Sequence, residues 1–343
     1  MKKNFRWILL LLGLALFGWF IQRAGPAEVW ANVRQLGWYA PLILLPYFVV
    51  YIFDTLGWYL AFGKYAATRV PYRTLFRVRW AGESVNYLIP SGYVGGEALK
   101  AYLLHKRGVP GLTAGTSVVA SKTCQMLAQV LFIGLGALAG RAHLPPDSGA
   151  RSGMMLVALA SFGVFILIFA LQRHGLFHSL QSVMSRIGIH IKALERNAAH
   201  FRQLDEQVYA FYHHDRRRFI FSTLAYLLGW LADALEVFVV CHLLGLPLSW
   251  TEAVAIESFI SVAKAIGIFA PGAIGVQESG VLLLFHLFGL PASIGVTYAL
   301  LRRGRELVYV LIGGAWLYAE ETSLKRVLLH AAEDQARSEA GKN

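Results

Sequence analysis

A short segment rich in proline and glycine occurs twice in the sequence and constrains the fold more than any other feature. Residues 90–97 recur as residues 271–278, a shift of 181 positions without a gap. The same shift places the basic Lys122 on the basic Arg303. The identical pairs are Pro90 and Pro271, Glu97 and Glu278, Leu103 and Leu284, His105 and His286, Gly108 and Gly289, Pro110 and Pro291, and Thr116 and Thr297. We therefore predict a duplicated unit with a break at matching places, a pattern typical of membrane transporters.

The composition of the chain places the duplicated unit in a membrane. The 343 residues are 56% hydrophobic and only 15% charged, whereas soluble domains carry about 25% charged residues. The formal net charge of +12 would suggest nucleic acid in a soluble protein. Here the basic residues mostly flank apolar segments, as the positive-inside rule describes, so we expect no nucleic-acid partner. Cys124 and Cys241 lie within apolar segments, and we expect neither a disulfide nor a metal site from them.

Apolar runs of about 20 residues predict six membrane spans. Two further apolar segments, 80–104 and 252–290, contain the Pro/Gly motifs. The N-terminal segment resembles a signal peptide, but bulky Trp19 and Phe20 occupy the cleavage region, so we predict an uncleaved first span. The six predicted spans are residues 7–22, 38–62, 112–140, 153–172, 219–244 and 292–319.

Basic residues orient these spans. The cluster at positions 2–6 places the N-terminus in the cytoplasm. Basic residues at 64–79 and 106–107 flank the segment 80–104 on both sides, so it should form a re-entrant hairpin from the cytoplasm. The segment 252–290 follows a span that runs outward, so its hairpin should enter from outside. This second segment is also long enough for two complete crossings, which is the alternative.

We therefore predict an all-α polytopic membrane protein with two inverted repeats, each containing a re-entrant helical hairpin broken by proline and glycine. A single membrane domain covers residues 1–343, with the first repeat at 38–140 and the inverted second repeat at 219–320. Residues 173–218, rich in Lys and Arg, should form a cytoplasmic amphipathic connector. We expect a bacterial-type inner (cytoplasmic) membrane, with both termini in the cytoplasm.

Each predicted hairpin brings backbone N–H groups to the depth of its break. The second arm begins near residues 95–97 in one copy and 276–278 in the other, and the N-terminal end of a helix binds phosphate or carboxylate groups. The alternative is a packing break in which the glutamates only stabilise the first helical turn. The candidate substrate-binding residues of the motifs are Pro90, Ser91, Gly95, Gly96, Glu97, Pro271, Gly272, Gly275 and Glu278.

Lys122 and Arg303 add a basic residue within a span to each repeat. A charge at the centre of a membrane helix costs about 2.5–3.5 kcal/mol, so each should face a partner or a water-filled cavity. Each follows the glutamate of its repeat by 25 residues, so we predict contacts of Glu97 with Lys122 and of Glu278 with Arg303. Either these contacts are permanent buried ion pairs, or the two basic residues also attract an anionic headgroup. The other two arginines of the cluster 302–306 should point off this face, toward the interface or a local partner.

Three further acidic residues within predicted spans are candidates for a proton relay. They are Asp54 in the second span and Asp233 and Glu236 in the fifth. Asp233 and Glu236 are three residues apart and therefore share a helix face. The alternative is that they neutralise nearby basic residues.

The sequence contains no recognisable catalytic motif. There is no Walker A pattern, no H-E-x-x-H, no G-x-S-x-G and no Cys–His metal spacing. We therefore expect no catalytic residue, no metal and no cofactor, and not an enzyme. The alternative is a membrane enzyme or an accessory subunit of lipid or glycolipid biosynthesis, with Glu97 or Glu278 as a general base.

The residues around both breaks resemble the flippase-like membrane family, the transmembrane region of lysylphosphatidylglycerol synthases, which also occurs as stand-alone proteins. The first family motif, Pro-Ser…Gly-Gly-[Asp/Glu]-x-x-[Arg/Lys], is matched by Pro90, Ser91, Gly95, Gly96, Glu97 and Lys100. The second, Pro-Gly-Gly-x-Gly-x-x-Glu, is matched by Pro271, Gly272, Gly275 and Glu278, with Ala273 in place of one glycine. Family members also have a basic residue in the span after each motif, and Lys122 and Arg303 resemble these residues. The similarity to the family extends over essentially the whole chain.

The resemblance implies a protein that moves a lipid between leaflets. We expect a flippase or transporter of an anionic, phosphate-bearing lipid or lipid-linked precursor, with a lipid-biosynthesis enzyme as the candidate protein partner. Fused family members act on aminoacyl-phosphatidylglycerol. Their soluble aminoacyl-transfer domain does not follow the last predicted span here, so a polyprenyl-phosphate or hopanoid-type lipid is an alternative substrate. The sequence indicates neither the transport direction, nor the energy source, nor the oligomeric state.

Overall fold

The computed structural model describes residues 15, 18–62, 70–88, 94–173, 198–267 and 273–340. These residues form helices, and no strand occurs among them, which confirms the predicted all-α class. The helices are α1 (Pro26–Leu36), a 3-10 helix (Gly37–Ile43), α2 (Leu44–Ala61), α3 (Tyr72–Leu88), α4 (Val94–His105), α5 (Gly111–His143), α6 (Gly149–Arg173), α7 (Ala198–His214), α8 (Arg216–Leu243), α9 (Trp250–Ile266), α10 (Val276–Leu287) and α11 (Ala292–Ala340).

Four helical stretches in the described part are long and apolar enough to cross a membrane. They agree closely with the second to fifth predicted spans, and their bounds are Pro26–Ala61, Gly111–His143, Gly149–Leu171 and Arg216–Leu243. The first predicted span, 7–22, lies almost entirely outside the described residues. The sixth lies within α11, which is continuous but carries the charged cluster 302–306. A multi-pass membrane protein therefore accounts for the fold.

The helix boundaries repeat with the same shift as the sequence. α5 begins at Gly111 and α11 at Ala292, which are 181 positions apart. The turns before them are also alike, because Gly108 and Gly289 both have positive φ, at 87° and 69°. In each turn the residue after the glycine donates its N–H to a carbonyl five residues earlier, at 3.2 and 2.8 Å. Glycine adopts this left-handed geometry without a steric penalty, so the turn needs it in both copies.

The two halves are interlocked by exchanged contacts. α2 packs against α8, while α3 packs against α11 of the other half and α9 packs against α5. Glycines allow the last two pairs to approach closely. A Cβ at Gly313 would lie 2.0 Å from Oγ of Ser84, and a Cβ at Gly136 would lie 1.7 Å from Oγ of Ser258. Each half therefore covers the long helix of the other.

Two apolar clusters lie at opposite ends of α5. The first joins the end of α2, both ends of the α3–α4 hairpin and the start of α5, and it includes Trp58, Phe62, Leu75, Leu104, Val109 and Ala114. The second joins the ends of α5 and α8, both ends of the α9–α10 hairpin and the start of α11, and it includes Leu144, Leu244, Leu248, Ala253, Leu284, Phe285 and Ile294. Positions 114 and 144 are about 45 Å apart at 1.5 Å per residue. Each hairpin thus has both of its ends in one cluster.

α7 is the described part of the predicted connector 173–218; residues 174–197 lie outside the described residues. One face of α7 is apolar and contacts α5, with Leu204, Val208, Phe211 and Tyr212 buried. The amphipathic pattern predicted from the sequence therefore corresponds to a helix that packs on the protein with its apolar face.

Candidate functional site

The described motif residues lie at the start of the second helix of each hairpin, α4 or α10. Gly95, Gly96 and Glu97 belong to the first turn of α4. Gly275 immediately precedes α10, and Glu278 lies in its first turn. Four of the predicted residues, Pro90, Ser91, Pro271 and Gly272, lie outside the described residues.

In the first repeat, Glu97 binds two lysines. Its Oε1 lies 2.9 Å from Nζ of Lys122 and 3.0 Å from Nζ of Lys100. Lys100 is only 2% exposed and also contacts Glu83 at 2.6 Å. Lys122 donates a further hydrogen bond to Oε1 of Gln125 at 2.9 Å. The predicted contact between Glu97 and Lys122 is confirmed, within a wider network.

In the second repeat, Glu278 binds Arg303 through Nε of the guanidinium. Arg303 also contacts Glu306 at 2.6 Å. The other carboxylate oxygen of Glu278 accepts the backbone N–H of Gly275 at 2.7 Å. The predicted contact between Glu278 and Arg303 is confirmed, and the same glutamate caps the helix start.

One N–H group at each helix start is bound by the protein itself. The N–H of Gly275 donates to Glu278, and the N–H of Gly96 donates to Oδ1 of Asn86 at 2.8 Å. A Cβ at Gly96 would lie 2.2 Å from the carbonyl oxygen of Gly82, so α3 and α4 are in direct contact there. An anion that bound either of these two N–H groups would have to displace the oxygen already there. The substrate-binding role of the motif residues stays a prediction.

Arg302 and Arg305 are among the most buried side chains of the described residues. Arg302 binds both oxygens of Glu257 through Nη1 and Nη2, each at 2.8 Å. Arg305 binds Glu236 and lies 3.5 Å from Asp233. The expected position at the interface is wrong, because α8 and α9 supply three buried carboxylates. The alternative of a local partner holds for Arg305, which lies 3.7 Å from Glu306. Acidic residues within apolar helices require counter-charges, and that signal could have identified the arginines.

The three relay candidates are each found in ion pairs. Asp233 and Glu236 share a face of α8, as predicted, and both contact Arg305. Asp54 binds Nη2 of Arg79 at 2.5 Å. Arg79 was expected to lie at the cytoplasmic flank of the first hairpin, but it is 5% exposed. These contacts match the neutralising alternative, and the relay role stays a prediction.

A cavity of about 370 Å³ lies between the two halves. α2, α3 and α5 of the first half line it together with α8 and α9 of the second. Its charged residues are balanced in number and are Asp54, Glu83, Asp233, Arg79, Lys122 and Lys264. Four aromatic residues (Tyr47, Tyr51, Tyr87 and Trp230) and three uncharged polar ones (Gln125, Gln129 and Ser261) complete its polar and aromatic wall.

Side-chain contacts of the lining residues link the cavity to the buried ion pairs around it. Nζ of Lys264 lies 3.0 Å from the hydroxyl of Tyr87, which lies 3.1 Å from the hydroxyl of Tyr47. Arg305 stacks over the ring of Tyr47 at 3.5 Å from its centroid. Lys122 lines the cavity, whereas Arg303 is not among its described lining residues. Of the two basic residues predicted to bind substrate, Lys122 therefore belongs to the described wall of the cavity and Arg303 does not.

No group of three or more His, Cys, Asp or Glu side chains that could hold a metal ion occurs among the described residues. Cys124 and Cys241 are both buried free thiols.

Comparison with known families gives one match. The family model described as "Lysylphosphatidylglycerol synthase TM region" matches residues 6–314, nearly the whole chain. The chain belongs to this family. None of the curated proteins and none of the solved structures matches this chain. Membership is consistent with a lipid-related function in a membrane, as the resemblance implied.

Proposed function

We propose that this protein moves a phosphate-bearing lipid between the two leaflets of a membrane, with the headgroup passing through the cavity between its halves. The cavity is the observation that carries the proposal. It carries six charged side chains, it is lined by both halves and it lies among helices that are otherwise apolar. Charges within a membrane protein typically face a substrate path, and transporters place their substrate sites at the interface of their repeats.

The proposed mechanism uses two re-entrant hairpins that enter from opposite sides. The second arms, α4 and α10, contain 12 residues each. At 1.5 Å per residue such an arm is about 18 Å long, much shorter than the hydrocarbon core of about 30 Å. The apolar clusters also support this topology, since each one contains both ends of one hairpin and the two clusters lie at opposite ends of α5.

Two contacts support the proposed orientation. Arg107, in the turn after α4, binds Glu320 near the end of the membrane part of α11, so these two ends lie on one side. The charge pattern assigns both to the cytoplasm. Near the opposite end of α5, His143 lies 2.8 Å from Thr251 at the start of α9. The second hairpin therefore begins beside the end of α5 that the charge pattern assigns to the outside.

The proposal can be tested with protein reconstituted in liposomes that contain a fluorescent phosphatidylglycerol. Dithionite bleaches only the outer leaflet, so protein that moves the lipid should increase the bleached fraction beyond that of empty liposomes. The assay is repeated with an imposed proton gradient to detect proton coupling. Neutralising Glu97 and Lys122 together, as Glu97→Gln with Lys122→Gln, should slow the movement because Lys122 lines the cavity.

A matched control neutralises an ion pair outside the cavity lining, Arg107→Gln with Glu320→Gln. It should leave the rate of lipid movement near that of the unmodified protein. Bleaching equal to that of empty liposomes, with and without the gradient, would refute the proposal. If mass spectrometry instead showed a covalent change in the lipid, the enzyme alternative would replace it.

A further inference from the structure

Two buried nitrogen donors of cavity-lining residues have no hydrogen-bond partner. They are Nε of Arg79 and Nε1 of Trp230. A buried donor without an acceptor typically costs about 1–3 kcal/mol, so proteins rarely leave one without a reason. Here two such donors belong to residues of one cavity, and both require an acceptor oxygen.

Arg79 uses only part of its guanidinium in the ion pairs it makes. Nη2 alone contacts Asp54 at 2.5 Å and Glu83 at 3.8 Å. Arginine presents five donors in a planar fork that matches the oxygens of a phosphate. Nε of Arg79 has no acceptor among the described residues, so a ligand oxygen would supply the missing partner.

Trp230 contributes its donor from the other half of the molecule. It lies on α8, whereas Arg79 lies on α3. Its ring is positioned by stacking on Phe132, with centroids 5.8 Å apart and an interplanar angle of 17°. An acceptor-bearing headgroup in the cavity would therefore meet donors from both halves.

Two of the three lining carboxylates have counter-charges behind the wall. Glu83 binds Lys100 at 2.6 Å, and Asp233 lies 3.5 Å from both Arg302 and Arg305. None of these three cations is among the described lining residues. The third carboxylate, Asp54, binds Arg79 in the lining itself. A phosphate is the acceptor that best fits donors and cations that converge from several sides.

We propose that Arg79 binds the phosphate of the transported lipid and that the indole N–H of Trp230 donates to the same headgroup. This inference rests on the proposed function and names the residues that select its substrate. A headgroup phosphate supplies the acceptors that the protein does not. The ion pair with Asp54 holds Arg79 in the wall while the cavity is empty.

The test compares the binding of two short-chain lipids to the solubilised protein by calorimetry. Dihexanoyl phosphatidylglycerol carries a phosphate, and dihexanoylglycerol does not. Arg79→Lys keeps the charge opposite Asp54 but loses the planar fork, so it should weaken phosphatidylglycerol binding by about tenfold. Trp230→Phe keeps the stacking on Phe132 and removes only the donor, so it should weaken binding by about threefold to tenfold. Neither variant should change the binding of dihexanoylglycerol.

Arg302→Lys is the matched control, because Arg302 is also buried and also has an Nε without a partner, but it lies outside the described lining and is bound on two nitrogens by Glu257. It should lower the thermal stability and leave both lipid affinities within about twofold. Equal weakening of both lipids by Arg79→Lys, or no weakening, would overturn the assignment. Should Arg79→Lys not fold, Trp230→Phe decides by the same criterion.

The liposome assay separates this inference from the proposed function. If the unmodified protein binds phosphatidylglycerol through Arg79 but does not move it, the proposed function fails and the phosphate site stands. If the unmodified protein moves phosphatidylglycerol and Arg79→Lys and Trp230→Phe bind and move it equally well, the function stands and the assignment of Arg79 is wrong.

Discussion

Replacing Glu257 by Gln should destabilise the protein by about 3–5 kcal/mol, the cost of removing one partner of a buried ion pair. Glu257 and Arg302 are 0% and 1% exposed in their side chains. Both carboxylate oxygens bind the guanidinium at 2.8 Å. Gln keeps an acceptor oxygen but not the charge, so Arg302 would have Asp233, at 3.5 Å, as its nearest described carboxylate.

The same substitution at Glu97 provides the comparison. The side chains of Glu97 and Lys122 are 17% and 32% exposed, so water reaches this pair more readily than the buried one. Pairs that water reaches contribute about 0–1 kcal/mol. Lys100 would also keep its contact with Glu83. We therefore expect Glu97→Gln to cost about 1 kcal/mol or less, well below Glu257→Gln.

The assay is a double-mutant cycle of thermal unfolding in one detergent, followed by fluorescence. Arg302→Met combined with Glu257→Gln removes both charges, and a buried ion pair can often be replaced by uncharged residues at little cost. The double variant should therefore recover most of the stability that Glu257→Gln loses. Strict additivity of the two single effects, or equal destabilisation by Glu257→Gln and Glu97→Gln, would refute the reasoning.

Two further predictions concern topology and packing. Cysteines introduced near Lys106 and near Leu287 should react with an impermeant reagent from opposite sides of the membrane; labelling of both from one side would contradict the inverted hairpins. Gly136→Ala should lower the melting temperature because its Cβ would lie 1.7 Å from Oγ of Ser258, whereas Gly134→Ala, with no atom within 4 Å of its Cβ, should not. Equal melting temperatures for the two glycine variants would show that α5 and α9 do not need this close approach.

The contacts of the two motif glutamates could be predicted because the duplication provides the same spacing twice. Glu97 precedes Lys122, and Glu278 precedes Arg303, by the same number of residues. Two copies that fold alike must place both pairs alike, and a charge buried in a membrane needs a partner. The approximate bounds of the second to fifth spans followed from apolar runs of about 20 residues.

The other buried ion pairs could not be predicted in the same way. Arg302 and Arg305 are bound by carboxylates on α8 and α9, and the sequence does not indicate which helix faces which. Arg79 has no basic counterpart, since the shift places it on Ile260. A basic residue near the start of an apolar segment usually marks a membrane flank. Only packing shows that Arg79 lies inside and lines the cavity.

The exchanged contacts make each half depend on the other for its cover. The long helix of each half is covered by the hairpin of the other, and Trp80 of the first half donates its indole N–H to the carbonyl of Tyr309 in the second. A chain with a single copy would leave the glycine side of its long helix uncovered. We therefore expect either half, produced alone, to associate with a second molecule through that exposed side.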